Sequence, residues 1–427
     1  MTNVIAVNSS GQIKLSDNDR LYVPRDVGVL VAGSTAITSQ VGANGHEVTV
    51  EGAVASLAGY GIALGQDTGG LGDHRLMIGA TGSVHSLSDG YVAGVILYGS
   101  DNRLLNRGEI TGTLGAYLQD ATDAVVENHG FIGGLEGVGL FLLFATGAQV
   151  VNTGLISGTS GVQFDFSAGR IENSGEIVAT GASGRAIWAS SPGGSLVVVN
   201  SGHLSAPEVA ILAGGFADRV VNTGHIDGDI SLGGGADLYR GSGTVEGQVL
   251  GGAGGDTLLG GAGNETLSGE GDDDRIEGRG GDDRLDGGTG PDDLRGGAGD
   301  DVVTGGNGGD TLRGGAGEDE LSGDAGADVL NGGRDDDILT GGGGPDIFVF
   351  IRKAGDDVIT DFQNGQDLID LTAFGLKPAD YAGVVAPALS DAGNGATFLD
   401  LAALGGSGSV RIEGLAFASA NAADFVL

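Results

Sequence analysis

The chain has 427 residues, 89 of them glycine, none cysteine, with a formal net charge of −37 and 40% hydrophobic content. That length has room for two or three domains, and the apolar share is enough for a core, so the glycine does not by itself mean disorder. Without cysteine there is no disulfide or zinc–thiolate site. With only Lys14, Lys353 and Lys377 as lysines and no basic cluster, nucleic acid and anionic lipid are poor partners and cations good ones.

The opening stretch, MTNVIAVNSSGQIKLSDNDR, has neither a basic n-region nor a sustained apolar run, so no cleaved N-terminal signal is expected. Residues 1–47 read as an N-terminal cap with first strands. The longest apolar run, Leu140 to Phe144, is far too short to span a membrane.

Residues 48–250 carry a loose repeat. The pieces NRGEI, NHGFI, NTGLI, NSGEI, NSGHL and NTGHI place Asn106, Asn128, Asn152, Asn173, Asn200 and Asn222 at spacings of 22, 24, 21, 27 and 22 residues. Weaker copies, VEGAVAS and TGSVHS, extend the series upstream. Short alternating runs lie between them and no helix-length amphipathic pattern appears, so the spacing predicts a parallel β-helix. The asparagines should stack into a structural ladder, with Ile110, Ile132, Ile156, Ile177, Leu204 and Ile226 as an inward row. Two outward rows follow: Glu176, His203 and His225, and an apolar one of Ile96, Tyr98, Tyr117, Phe141, Leu143 and Trp188. The first reads as a solvated ladder or as weak catalytic candidates; the second as a stripe for sugar rings or a partner, or as a face covered by a loop.

From Gly251 to Val349 the chain divides into eleven uninterrupted nonapeptides. Position six is Asp256, Glu265, Asp274, Asp283, Asp292, Asp301, Asp310, Asp319, Asp328, Asp337 and Asp346. Position eight is always apolar: Leu258, Leu267, Ile276, Leu285, Leu294, Val303, Leu312, Leu321, Leu330, Leu339 and Phe348. These 99 residues hold 24 acidic and 6 basic side chains, a net −18, against −13 for residues 1–250 and −6 for residues 350–427. The spacing predicts a six-residue turn, a three-residue strand with one inward side chain, and a two-repeat coil that stacks residue n on n + 18.

This segment resembles the RTX (repeats-in-toxin) pattern GGxGxDxUx, and the resemblance implies a parallel β-roll that binds calcium. The expected ligands are the eleven position-six carboxylates and the backbone of Gly252, Gly254, Gly261, Gly263, Gly288, Gly290, Gly297, Gly299, Gly306, Gly308, Gly315 and Gly317. Calcium accepts six to eight oxygens in irregular geometry, which suits stacked turns better than magnesium's demands. Same-side pairing allows up to nine ions. GEGDDDRIE, GRGGDDRLD, GDAGADVLN and GGRDDDILT each lack a consensus glycine, and Glu265 departs from aspartate, so sites there should be weaker.

Residues 350–427 read as a C-terminal cap. The piece DDVITDFQNGQDLIDL resembles the segment following β-rolls in serralysin-type and related RTX proteins, and the ending NAADFVL resembles their uncleaved type I secretion signal. The resemblance implies an extracellular or cell-surface protein, with the type I machinery as a partner. The expected fold is therefore all-β: an N-terminal parallel β-helix, similar to pectin-lyase-like or adhesin-like domains, joined to a calcium-binding β-roll with a β-rich cap. The expected function is adhesion, matrix or surface binding, with polysaccharide or a cell-surface ligand as partner. The alternative is an extracellular polysaccharide lyase or epimerase working in the β-helix groove. That groove lacks the Tyr-Gly-x-Asp-Pro-His type motif of the mannuronan epimerases that the architecture resembles.

Overall fold

Apolar residues alternating over runs of three to six, with glycine or asparagine between them, have the period of strands. A computed structural model describes residues 3–5, 11–40, 43–65, 72–88, 90, 92–167, 169–190 and 193–427. Part of the opening stretch read for a signal, residues 1, 2 and 6–10, lies outside the described residues. The chain is all-β, dominated by parallel strands, and divides into two units: Met1–Gly234 with Gly243–Gly247, and Gly235–Ser242 with Gln248–Leu427.

The first unit is a parallel β-solenoid with up to three short strands per coil. One row of strands runs through Arg103–Asn106, Val125–Asn128, Ala148–Asn152, Gly169–Asn173, Leu196–Asn200 and Arg219–Asn222. The asparagines fall in register, fully buried or nearly so. Each Nδ2 donates to the Oδ1 of the next, from Asn106 to Asn128 (2.7 Å) through to Asn200 and Asn222 (2.9 Å). The amides thereby satisfy one another and nearby turn carbonyls, as a buried polar row must. Upstream, Ile78, Val50 and Val23 take the asparagine position, so the ladder gives way to an apolar row in the earlier coils.

The second strand row places Ile110, Ile132, Ile156, Ile177, Leu204 and Ile226 in one buried line, continued upstream by Val84, Val54 and Val29. The third row pairs Ile96, Tyr117, Phe141, Gln163 and Trp188 across successive coils. These side chains alternate with the inward residues Leu97, Leu118, Leu142 and Phe164. Ile96 is nevertheless fully buried, so that end of the outward row is covered rather than open.

In the second unit the coil is 18 residues long, and Leu258 pairs with Ile276, Leu267 with Leu285, and so on to Leu330 with Phe348. All eleven position-eight side chains have no exposed surface. Mid-roll strands such as Thr311–Ala316 and Val302–Gly308 are longer than the three residues expected. They run from position seven to position three or four of the next repeat, and the register skips position one, where a glycine sits. Stacked coils let even the glycine backbone pair, which a single repeat could not show. Outside, Arg295 and Arg313 both reach the Asp293 carboxylate.

The roll ends in a mixed cap. Asp356–Ile359 pairs parallel with Ser409–Ile412, which pairs antiparallel with Ala396–Asp400, itself in a hairpin with Leu389–Gly393. Phe425–Val426 adds parallel to Leu368–Asp370, and Phe425 packs on Tyr381 with ring centroids 5.7 Å apart.

Candidate metal centre

Each position-six aspartate closes a turn and enters a strand, which brings its carboxyl under the stacked corner. The carboxyl then does two different things. Its Oδ1 accepts the backbone N–H of the residue 18 positions earlier: Asp274 Oδ1 from Asp256 (2.7 Å), Asp310 Oδ1 from Asp292 (2.9 Å), Asp346 Oδ1 from Asp328 (3.0 Å). Nine such links join the eleven position-six residues. Its Oδ2 is buried without a hydrogen-bond partner in all ten aspartates. An unpaired buried carboxylate oxygen is costly, and ten stacked in two columns, six on one side of the coil and four on the other, demand a counter-charge.

The space before each Oδ2 is kept open by glycine. A Cβ built on Gly305 would lie 2.5 Å from Asp310 Oδ2 and 2.9 Å from the Gly323 carbonyl oxygen one coil on. The position-one glycines 269, 278, 287, 296, 314, 323, 332 and 341 meet their own repeat's Oδ2 in the same way. Carboxylate oxygen and backbone carbonyl thus converge on one gap, an all-oxygen donor set that fits a hard divalent cation.

Electrostatics agree. Burial pushes the carboxyls of Asp256, Asp292 and Asp301 up to about 6, those of Asp274, Asp283, Asp328 and Asp337 up to about 7, and that of Asp319 up to about 8. Asp310 and Asp346 are raised for the same reason. Neighbouring carboxylates add to the rise, and the N–H donors to Oδ1 oppose it. A cation at the gap acts in the opposite direction and favours the ionised form.

Glu265 departs from this pattern. It is half-buried, and its longer side chain folds back so that Oε2 accepts the N–H of Gly261 in its own turn (3.0 Å). Gly261 and Gly263 also stay out of the left-handed region that Gly252, Gly254, Gly288, Gly290, Gly297, Gly299, Gly306, Gly308, Gly315 and Gly317 occupy. In the four imperfect repeats the left-handed positions fall on Glu270, Asp272, Arg279, Asp324 and Asp335, at φ between 67° and 81°. Side chains there are strained where glycine is not.

The ladder is longer than the nonapeptide array. Asp237 N–H donates to Asp256 Oδ1 (2.7 Å), while Asp357 and Asp367 accept from Asp337 and Asp346 (both 3.0 Å). Their sequence signal is aspartate two residues before an inward apolar side chain: Tyr239, Ile359 and Ile369. Spacings of 19, 20 and 21 instead of 18 hid them.

In the first unit Glu176, His203 and His225 stand in register on adjacent coils, as expected. The carboxylate that meets the two imidazoles is Asp227, with Oδ2 2.8 Å from His203 Nε2 and Oδ1 2.5 Å from His225 Nε2. In the apolar row Tyr117 stacks on Phe141 at 5.1 Å, and the Arg185 guanidinium lies 5.1 Å from the Trp188 ring centre. At a neighbouring corner Phe144 and Phe166 stack at 5.3 Å, both nearly half exposed and both at positive φ.

These features define a parallel β-solenoid with two columns of carboxylates fit for cations along its second unit. Residues 250–285, 277–312, 286–321 and 313–348 match the family of RTX calcium-binding nonapeptide repeats, so the columns are built from calcium-binding RTX repeats. Among solved structures the chain is similar to the AlgE6R3 subunit of the Azotobacter vinelandii mannuronan C5-epimerase. The identity is 36% over 30% of this chain and 77% of that one, with a TM-score of 0.25. It is also similar to the extracellular lipase LipA of Serratia marcescens, at 20% identity over 41% of this chain and 40% of that one, with a TM-score of 0.19. No curated protein matches the chain.

Proposed function

We propose that this chain is an extracellular protein whose repeat segment folds on binding calcium, with the position-six carboxylates and the backbone of the position-two and position-four glycines named above as ligands, joined by the position-one carbonyls that face the same gap. The ten unpartnered Oδ2 atoms carry this reading. The nine N–H to Oδ1 links mark up to nine inter-coil sites, and the one between Glu265 and Asp283 is the weakest because Glu265 Oε2 is already engaged by the Gly261 N–H. The test is a calcium titration of the chelator-treated full chain by calorimetry. Saturation at up to nine ions is expected; uptake of one or two would overturn the assignment.

Calcium affinities of extracellular modules, about 10⁻⁴–10⁻³ M, would leave the repeats unfolded before export and ordered after it. A type I route with residues 350–427 as the export segment suits that sequence of events. Appearance of the chain in the medium only when a type I exporter is co-expressed checks it.

The first unit serves, in this reading, as a surface that binds polysaccharide. Tyr117, Phe141 and Trp188 recur in one row with Gln163 between them, the mix of ring faces and amides that sugar rings take. Phe144 and Phe166 add two exposed rings held at φ 51° and 48°, a rare conformation for bulky side chains. Tyr117→Ala and Trp188→Ala are each expected to weaken polysaccharide binding about 3- to 10-fold in affinity electrophoresis. Unchanged mobility of both variants across neutral and acidic polysaccharides would remove this face from consideration.

A further inference from the structure

We propose that His203, His225 and Asp227, with Glu246 beside them, form a site in the first unit for a transition-metal ion such as zinc, chemically distinct from the calcium ladder. The coil register puts the groups together. His203 pairs with His225 on the next coil, and His225 and Asp227 pair in turn with Thr244 and Glu246. The imidazole rings lie 5.1 Å apart, and the ligand atoms of His203, His225 and Asp227 all fall within 4.8 Å of one another. Glu246 Oε1 is 3.7 Å from His225 Nε2, close enough to complete a four-ligand set after a rotamer change.

The chemistry of the contact points to a cation. Both oxygens of one carboxylate face an imidazole Nε2, at 2.8 and 2.5 Å. Contacts this short are hydrogen bonds holding a proton, and here two nitrogens share one carboxylate; zinc, at about 2.0–2.2 Å from each ligand atom, takes the protons' place once each pair opens to about 3.3 Å. The far side of the His225 ring is already held, with Nδ1 2.5 Å from Thr244 Oγ1, the kind of outer contact that fixes a ligating imidazole. Imidazole with carboxylate suits zinc and its neighbours, whereas calcium takes oxygen alone, so saturating calcium leaves this site free. The side chains are 36%, 39% and 34% exposed, which gives an ion a way in.

The full chain, saturated with calcium, is titrated with zinc against a chromophoric chelator and, separately, with cobalt(II). One equivalent of zinc and a nitrogen-ligated cobalt visible spectrum are expected. The paired substitution His203→Ala with His225→Ala should weaken zinc by more than about 100-fold, and Thr244→Val by roughly 10-fold, the outer-contact effect. Glu176→Gln, in the same row but outside the set, should leave it unchanged. Zinc-induced shifts of the His203 and His225 ring nitrogens in the wild-type chain read the site without any variant. Zinc that excess calcium displaces, that the paired variant binds equally well, or that leaves those nitrogens unmoved would overturn the proposal.

Discussion

Chelating calcium from the full chain at pH 8 is expected to abolish the parallel strands of the nonapeptide segment, while the emission of Trp188, in the other unit, stays unchanged. The reason is the two columns of unpartnered carboxylate oxygens under the corners. At tenfold excess over its dissociation constant each ion adds about 1.4 kcal/mol by mass action, so nine would add about 13 kcal/mol. That matches the whole net stability of an ordinary domain, about 5–15 kcal/mol. Without metal, pH takes over. Burial raises all the position-six carboxyls in the folded state, eight of the aspartates from 3.8 to about 6–8, so their protonated form favours folding. Their contribution is complete below about pH 4 and is lost as pH climbs through 6 to 8. Circular dichroism should therefore show the metal-free chain more ordered at pH 5 than at pH 8. The calcium midpoint should move to higher concentration as pH falls, because protons compete for the same oxygens. An identical spectrum with and without chelator at pH 8 would contradict the account.

Gly305→Ala is expected to remove one calcium equivalent and lower the folding midpoint, whereas Gly309→Ala, four residues away, is expected to do neither. A Cβ at Gly305 enters the gap between Asp310 Oδ2 and the Gly323 carbonyl, where no real side chain fits without displacing one of them. Overpacking of that kind costs about 1–3 kcal/mol, and a lost ion adds to it. A Cβ at Gly309 meets only the Ala327 carbonyl at 3.4 Å, an ordinary contact. Its effect should stay within about 0.5 kcal/mol. Calcium-dependent thermal melts of the two variants decide the matter, and equal behaviour would show that the gap at position one is not the binding gap.

The regular parts of this fold were legible because both repeats declare themselves locally. An apolar side chain at every position eight and an asparagine at each coil corner from Asn106 to Asn222 left little freedom in face or register, and the buried rows fall where the periods put them. The glycines missing from four repeats also foretold where the backbone would be strained, at Glu270, Arg279, Asp324 and Asp335. Legibility failed wherever spacing drifted or the partner lay on another coil. Asp237, Asp357 and Asp367 sit outside the nine-residue count. Val50 and Ile78 replace asparagine upstream. Asp227 is two residues from His225, yet its link to His203 depends on a register that local coil lengths of 27, 22 and 19 residues conceal. The strands outgrew three residues because a glycine backbone acquires partners only once coils are stacked.

Each position-six carboxylate completes the coil that precedes it, so a corner is finished only when the next coil toward the C-terminus has arrived. Asp357 and Asp367, outside the array, close its last two corners. Asp357→Ala with Asp367→Ala is therefore expected to open the last two corners and raise the calcium concentration needed to order the whole array, as circular dichroism would read, if each finished turn is the template for the one before it. A chain that emerged tail first into calcium would present those two closing carboxylates first.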